Sequence, residues 1–280
     1  MTQYAGVIGY PLKRALSVAI MRPTFEHLNL DIHYEAWETE EKQFESRANF
    51  LRQREVLGAM VTMPYKEKVI PFVDELDKAA KIMKAVNVIS KQGEKLVGHN
   101  TDGAAFLQAL TEETGFTLKG KQAVILGAGG VARACGATLA TAGISSITII
   151  NRTLSRAHEL ASIIRQLGPE VKVVSYEDGM EPIKKSELLV NCTPLGMEGT
   201  TTEAQAPIKE GLISKDQIVF DTIYKPLETP LMKMARDVGA EALGGASMVV
   251  YTSIIAFRLW LHKEPPKEIM FEGARKAGFL

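Results

Sequence analysis

The chain has 280 residues, enough for two domains of ordinary size, with 46% hydrophobic and 24% charged residues, as in a globular protein. Its 33 basic and 33 acidic residues give a formal net charge of zero, which argues against a nucleic acid or an anionic membrane as a partner. No apolar run reaches the length of a membrane span, and the N-terminus has no signal-peptide pattern, so we expect a cytoplasmic protein.

Cysteine usage gives no indication of a disulfide scaffold or a metal site. The two cysteines are Cys135 and Cys192. Neither belongs to a CxxC motif or to a Cys/His cluster of the kind that binds zinc. We therefore expect no metal, and we interpret both thiols as small hydrophobic groups buried in the fold.

The apolar pattern of the first hundred residues predicts a βαβαβ order, which forms an α/β layer structure of its own. Pro64 ends the last of these strands, and a helix-like segment is predicted to begin near Tyr65 or Lys66. A hairpin of Val86–Ser90 and Lys95–His99 follows, because these runs flank Lys-Gln-Gly-Glu. The five elements of the βαβαβ order are strand Tyr4–Gly9, helix Ser17–Leu30, strand His33–Glu38, helix Glu41–Arg54 and strand Leu57–Met63.

A glycine turn is the most informative segment of the chain. The apolar run Ala123–Leu126 leads into Gly-x-Gly-x-x-Ala, formed by Gly127, Gly129 and Ala132. The first glycine permits the tight turn, the second lets backbone approach a phosphate group, and the alanine lets the next helix pack against the sheet. A second strand, Ser146–Ile150, completes a βαβ unit, so the pattern predicts a doubly wound domain that binds a dinucleotide.

The residues after that second strand indicate which dinucleotide binds. NAD-binding units place an Asp or Glu there for the ribose 2′-hydroxyl, whereas this chain has Asn151, Arg152, Thr153 and then Arg156. A guanidinium group pairs with a 2′-phosphate, which a carboxylate would repel. We therefore expect NADP; the alternative is that both arginines are solvated charges at the start of a helix.

The remaining elements complete this domain and continue beyond it. We expect the last two helices of the chain to return to the first domain. Helices are predicted over Asp102–Thr114, Pro226–Val238, Ala246–His262 and Pro266–Ala277, and strands over Val171–Ser175, Leu188–Asn191 and Ile218–Thr222.

Several separated motifs together resemble those of the shikimate dehydrogenase family (shikimate/quinate dehydrogenase-like). They are Val61–Lys66, Ala85–Asn87, Asn100–Gly103, Gly127–Ala132, Asn151–Arg156, Asn191–Met197, Asp221–Pro226 and Gly244–Met248. The resemblance covers nearly the whole chain and implies an α/β protein of two lobes. Residues 1–102 with 246–280 are then an N-terminal α/β substrate-binding and catalytic domain, to which the C-terminal helices return. Residues 103–245 are a Rossmann-type NADP-binding domain.

The resemblance also implies an activity, the NADP-dependent reversible reduction of 3-dehydroshikimate to shikimate in aromatic amino acid biosynthesis. Hydride transfer would cross the cleft between the lobes. Lys66 would move the proton, and Asp102 would orient the ammonium group of this lysine. Their alternative roles are a solvated lysine and a helix N-cap. The resemblance assigns the substrate, a small cyclic hydroxy acid, to Ser17, Thr62, Asn87, Tyr224 and Thr252. The alternatives are a hairpin polar residue for Asn87, a strand-end polar residue for Thr62, and packing beside Ile223 for Tyr224. It assigns the cofactor to Gly127, Ala128, Gly129, Gly130, Val131, Asn151, Arg152, Thr153, Arg156, Thr193, Ile223 and Gly245.

The chain departs from the family pattern at positions that shape the substrate pocket. Ala15 replaces the first of two serines, Met60 replaces an Asn, and Thr252 replaces a Gln. Each change removes a hydrogen-bonding group directed at a polyhydroxylated acid, at a cost of about 0.5–3 kcal/mol. Arg14 and Arg22 are the candidates to replace the lost carboxylate contacts.

Three hypotheses remain open at this point. The first is a shikimate dehydrogenase with a rebuilt carboxylate site. The second is a paralogue that acts on another cyclic alcohol, such as quinate, an aminoshikimate-like compound or a less polar one. The third is a non-enzymatic NADP-binding sensor, for which Lys66 would be dispensable. The sequence is compatible with a monomer or a homodimer.

Overall fold

The chain divides into two compact units in the computed structural model, which describes residues 2–12 and 15–280. Unit 1 consists of Met1–Thr101 and Val249–Leu280, and unit 2 consists of Asp102–Met248. The predicted domain boundaries, after residues 102 and 245, lie one and three residues from these divisions.

Unit 1 is built on a mixed sheet of six strands. Its elements up to residue 101 are β1 Gln3–Gly9, α1 Leu16–His27, β2 Ile32–Glu38, α2 Phe44–Phe50, β3 Val56–Val61, β4 Glu75–Leu76, α3 Lys78–Met83, β5 Val88–Gln92 and β6 Lys95–His99. The strand order is β2-β1-β3-β5-β6-β4. Strands β1, β2 and β3 are parallel, as the βαβαβ prediction requires, and β5 and β6 form the predicted antiparallel hairpin. Gly93, with φ of +64°, turns the chain between them.

Unit 2 is built on a parallel sheet of six strands. Its elements are α4 Asp102–Thr114, β7 Gln122–Leu126, α5 Gly130–Thr141, β8 Ser146–Ile150, α6 Leu154–Arg165, β9 Glu170–Val174, α7 Met180–Lys185, β10 Leu188–Asn191, β11 Ile218–Asp221, α8 Pro230–Asp237 and β12 Glu241–Gly244. The strand order, β12-β11-β10-β7-β8-β9, changes direction between β7 and β10. Doubly wound domains bind their ligands at such a switch point, and the prediction of a Rossmann-type domain is confirmed.

Two C-terminal helices, α9 Gly245–Leu261 and α10 Lys267–Lys276, complete the chain. They pack on unit 1, as predicted: Trp260 of α9 donates its indole N–H to the carbonyl of Ile89 at 2.9 Å. A Cβ at Gly273 of α10 would collide with the carbonyl oxygen of Ala19 in α1, so only glycine permits this close approach. Although α9 is apolar, no helix among the described residues is long and apolar enough to cross a membrane.

The helix predicted over Glu41–Arg54 is shorter and broken in the structure. A 3₁₀ turn, Glu41–Gln43, precedes α2, which ends at Phe50. Beyond that point the backbone N–H groups of Arg52 and Gln53 bond three residues back, so the chain continues in tight turns. The short elements β4, α3, α7 and β12 had no counterpart among the sequence predictions, because two to six residues carry little periodic signal.

Two further expectations are wrong in detail. The helix predicted from Pro226 begins at Pro230, because the hydroxyl of Thr229 caps it by accepting a backbone N–H of the first turn at 3.2 Å. Both cysteines are free; Cys135 is buried as predicted, but Cys192 is only half-buried. The difference arises because the second thiol follows β10 directly and lies in a loop.

Candidate functional site

The carboxyl ends of five unit 2 strands form one row. Leu126, the last residue of β7, pairs with Ile150 of β8 and Asn191 of β10. The same register continues to Asp221 of β11 and Gly244 of β12. The loops that follow these residues therefore begin side by side at one edge of the sheet. They carry the first members of each predicted cofactor segment, Gly127, Asn151, Thr193, Ile223 and Gly245.

The glycine turn after β7 has the geometry that its sequence predicts. Gly127 has φ of +106°, which favours glycine, and its N–H donates to the carbonyl of Ile150 at 2.8 Å. A Cβ on it would lie 3.0 Å from the carbonyl oxygen of Cys192. Gly129 and Gly130 are exposed, and a Cβ on either would meet no atom within 4 Å. The start of α5 thus presents open backbone, which fits an anion such as a pyrophosphate. The half-buried members of the turn are Ala128 and Val131.

The segment after β8 is basic and exposed. Asn151 is half-buried and its side-chain N–H donates to the carbonyl of Thr153 at 2.8 Å, which fixes the turn into α6. Arg152, Thr153 and Arg156 are exposed. No carboxylate lies between residues 151 and 156, so nothing in this segment repels a 2′-phosphate.

The loops after β10 and β11 are fixed by hydrogen bonds. Thr193 donates its N–H and its hydroxyl to Oδ1 of Asn191, at 3.0 and 2.7 Å. Gly245 donates its N–H to the carbonyl of Ile223 at 2.9 Å, and a Cβ on this glycine would collide with the carbonyl before Ile223. Ile223 is buried, whereas Tyr224 is 41% exposed. Of the predicted residues in these loops, only the tyrosine side chain is largely open to solvent.

Lys66 lies in a turn and not in the helix that the sequence predicts. Tyr65 donates its N–H to the carbonyl of Thr62 at 3.0 Å. The carbonyl of Lys66, however, accepts the N–H of Val86 at 2.7 Å instead of an N–H of its own segment, so a helix cannot propagate through it. Regular geometry returns only in the 3₁₀ turn Ile70–Phe72. The side chains of Thr62 and Lys66 are both half-buried.

Asn87 is buried and has internal partners. Its Nδ2 donates to the hydroxyl of Thr101 at 3.0 Å, and its Oδ1 accepts the N–H of Thr101 at 2.7 Å. Asp102 follows as the first residue of α4 and is buried. Gly103 lies against α5, where a Cβ would collide with the side chain of Thr138. The predicted substrate ligand Asn87 therefore also fixes the residue that precedes the predicted catalytic carboxylate.

A buried polar residue that the sequence analysis missed lies beside Ser17. Tyr34 is 2% exposed, its ring lies 6.2 Å from that of Trp260, and its buried hydroxyl has no hydrogen-bond partner among the described residues. Burial raises the pKa of Tyr34, and the neighbouring Ser17 hydroxyl lowers it in part. Met60 and Thr252 are also buried in this unit. The available signal was a tyrosine at an inward position of a strand, since a buried phenol normally finds a partner.

The other departures from the family pattern lie near the start of α1. Ala15 is the N-cap of this helix, and its side chain provides no capping hydrogen bond. Arg22 is exposed and its Nε donates to the carbonyl of Tyr34 at 2.7 Å, on the edge strand β2. This contact commits Arg22 to the outer edge of the sheet. The other candidate, Arg14, lies outside the described residues.

Comparison with known proteins identifies the family. Residues 7–89 match the family model described as shikimate dehydrogenase substrate binding domain, and residues 109–215 match the model described as shikimate / quinate 5-dehydrogenase. A shikimate dehydrogenase (NADP(+)) from Halothermothrix orenii is 38% identical over 280 residues, which cover 99% of this chain and 96% of that protein.

Solved structures agree with these matches over the whole chain. A shikimate dehydrogenase in complex with NADP+ superimposes with a TM-score of 0.90 at 32% identity and covers 99% of this chain and 96% of its own. The shikimate 5-dehydrogenase from Thermus thermophilus, in complex with NADP(H) and shikimate, has a TM-score of 0.86 at 32% identity over 99% and 100% of the two chains. The present chain is a member of the shikimate dehydrogenase family.

Proposed function

We propose that this chain is an NADP-dependent shikimate dehydrogenase that interconverts 3-dehydroshikimate and shikimate in aromatic amino acid biosynthesis. The observation that carries the proposal is the nearly full-length similarity to shikimate dehydrogenases (NADP(+)), 38% identical in the case of Halothermothrix orenii. The open glycine turn and the basic segment beside it support the same cofactor.

Three groups of residues would hold NADP. The backbone of the turn from Gly127 to Val131 would bind the pyrophosphate, because its exposed glycines leave space at the start of α5. Arg152 and Arg156 would pair with the 2′-phosphate, with Asn151 and Thr153 shaping their turn. Thr193, Ile223 and Gly245 would lie along the nicotinamide. When bound, NADP supplies the group that accepts a hydride from the substrate carbinol carbon.

The proton that accompanies this hydride is assigned to Lys66. In the oxidation of shikimate its Nζ takes the proton of the reacting hydroxyl, and in the reverse direction it returns that proton to the carbonyl oxygen. The proposed role of Asp102 is to orient the ammonium group and to bind a substrate hydroxyl. The backbone bond between Lys66 and Val86 fixes the chain at the lysine, and the bonds between Asn87 and Thr101 fix the residue before Asp102; both support this assignment.

The substrate would be held by hydroxyl and amide groups. Ser17 and Tyr34 are proposed to bind the carboxylate, since the phenol is buried, makes no well-formed hydrogen bond to a described residue, and has the Ser17 hydroxyl as its polar neighbour. The remaining proposed contacts to the ring hydroxyls are Thr62, Asn87, Tyr224 and Thr252.

The proposed setting is the cytoplasm, with a monomer or a homodimer as the active species and no nucleic acid partner. The formal net charge of zero supports the last point, because nucleic-acid-binding proteins carry a basic excess. Cell fractionation and light scattering on the purified protein test these statements.

The experiment that tests the proposed reaction is a comparison of substrates and cofactors with the wild-type protein. Formation of the reduced cofactor is followed with shikimate or quinate, each with NADP or NAD, up to saturation. Shikimate with NADP is expected to have the highest kcat/KM. A higher kcat/KM with quinate would show that the chain is a paralogue whose pocket changes at Ala15, Met60 and Thr252 suit another cyclic alcohol. NADP binding without any turnover would support a sensor.

A further inference from the structure

A buried carboxylate at the carboxyl edge of the unit 2 sheet has no role in the assignments above. Asp221, the last residue of β11, is 0% exposed. Its Oδ1 accepts the side-chain N–H of Asn191 at 3.0 Å and the N–H of Ile223 at 3.1 Å, and its Oδ2 accepts the hydroxyl of Thr229 at 2.7 Å. Three donors directed at a group without solvent contact are what an ionised carboxylate requires.

The three donors belong to three different segments of the unit. Asn191 ends β10, and its own Oδ1 accepts both polar groups of Thr193. Ile223 lies in the loop after β11, and its carbonyl accepts the N–H of Gly245. Thr229 is the N-cap of α8. One carboxylate thus connects every loop that contributes to the proposed nicotinamide site.

Burial of the Asp221 carboxylate costs free energy, which indicates that this group positions the loops more than it stabilises the fold. Burial raises the pKa of Asp221 to about 6, although its three donors lower it. An apolar residue of similar size at a buried site usually stabilises a fold as well as a buried charge does. The Asp221 carboxylate lies at the edge of the sheet where doubly wound domains bind ligands. Its hydrogen bonds fix the backbone conformations of Thr193 and Ile223.

We propose that Asp221 is a positioning residue for the nicotinamide end of NADP, holding the loops after β10 and β11 so that Thr193 and Ile223 meet the cofactor. This inference rests on the proposed function. In this proposal Asp221 contacts neither substrate nor cofactor, and it acts only through the segments that it connects.

The chain offers a matched control at the other end of the same strand. Gln217 lies directly before β11 and is 2% exposed. Its Nε2 donates to the carbonyl of Ser186 at 2.7 Å, and its Oε1 accepts the N–H of Ser214 at 2.8 Å. Gln217→Met therefore removes a buried polar network of similar size, but at the amino end of the strand, away from the ligand edge.

The test compares Asp221→Asn and Gln217→Met in the full chain. The dissociation constant for NADP measures binding without turnover, hydrogen–deuterium exchange measures loop mobility, and steady-state kinetics separate the two KM values.

Asp221→Asn is expected to weaken NADP binding on the order of tenfold, the effect of one misplaced hydrogen bond to a charged group. Exchange at residues 192–195 and 222–224 should rise, and KM for NADP should rise with it. Gln217→Met should lower Tm and leave NADP affinity unchanged.

A second pair of variants keeps the test decisive if Asp221→Asn does not fold. Thr229→Val removes one donor and is expected to weaken NADP binding, whereas Thr229→Ser retains the hydroxyl and should keep wild-type affinity. Unchanged NADP affinity in Asp221→Asn or in Thr229→Val would overturn the inference, as would an equal loss in Gln217→Met. A wild-type protein that binds NADP but does not oxidise shikimate would refute the proposed reaction alone, and failure to bind NADP would refute both.

Discussion

The hydroxyl of Tyr34 provides the sharpest prediction, because stability and substrate binding should respond to its loss in opposite directions. The phenol is buried without a partner among the described residues, which costs about 1–3 kcal/mol. Tyr34→Phe removes only the oxygen and keeps the ring contacts with Phe25 and Trp260. The ligand-free variant should therefore be more stable by about 1 kcal/mol or more, and its Tm should rise by about 2–4 °C for each kcal/mol.

Binding of shikimate should weaken in the same variant. A hydrogen bond to a carboxylate is worth about 1.5–3 kcal/mol, so the dissociation constant is expected to rise by about tenfold to about 150-fold. Thermal unfolding without ligand and calorimetric titration with shikimate measure the two effects on one preparation.

Tyr65→Phe is the matched control for this prediction. Tyr65 is also buried in unit 1, but its hydroxyl donates to the carbonyl of Thr39 at 2.5 Å. Loss of this bond should lower stability by about 0.5–1.5 kcal/mol. If Tyr34→Phe lowers Tm as the control does, or binds shikimate as tightly as the wild type, the assignment of Tyr34 to the carboxylate is wrong.

Three further predictions concern the cofactor, the start of α1 and pH. Arg152→Ala should raise KM for NADP by about tenfold to about 150-fold and leave KM for NAD unchanged, because only the contact with the 2′-phosphate is lost; equal effects on both cofactors would contradict this. Ala15→Ser should raise Tm, since a serine N-cap contributes about 0.5–2 kcal/mol where α1 now has none; an unchanged Tm would argue against capping. The pKa of Asp221 is raised from 3.8 to about 6, so between these pH values the native protein retains a proton that the unfolded chain has lost. This carboxyl group therefore lowers the free energy of unfolding as pH rises from about 4 to about 6. The free energy of unfolding of Asp221→Asn, measured with urea, should therefore rise relative to that of the wild type by up to about 3 kcal/mol over that range. Parallel pH curves for the two proteins would refute the raised pKa of Asp221.

The dinucleotide domain was predictable because its signals are local. Gly127 and Gly129 lie directly between the strand and the helix that they connect, and the pattern of the β7–β8 segment contains its own turn chemistry. The return of α9 and α10 to unit 1 was also anticipated, from the family resemblance and the apolar sequence of α9.

The rest of the site depends on contacts between distant segments, which no local pattern records. Lys66 lies in a turn instead of a helix because its carbonyl accepts the N–H of Val86, which is distant in the sequence. Asp221 stands in a recognised motif, but its partner Asn191 lies 30 residues away. The burial of Tyr34 required knowledge of α9, since Trp260 of that helix contacts its ring.

The proposed reaction is the oxidation of shikimate with NADP, with Lys66 moving the proton. The most direct measurement is NADPH formation by the wild type and by Lys66→Ala, with dissociation constants for shikimate and NADP determined for both proteins. We expect saturable turnover by the wild type, and a kcat lowered by about 10²–10⁴-fold in Lys66→Ala with NADP affinity retained. Turnover of shikimate at the wild-type rate by Lys66→Ala, or no turnover by a wild type that binds both ligands, would contradict it.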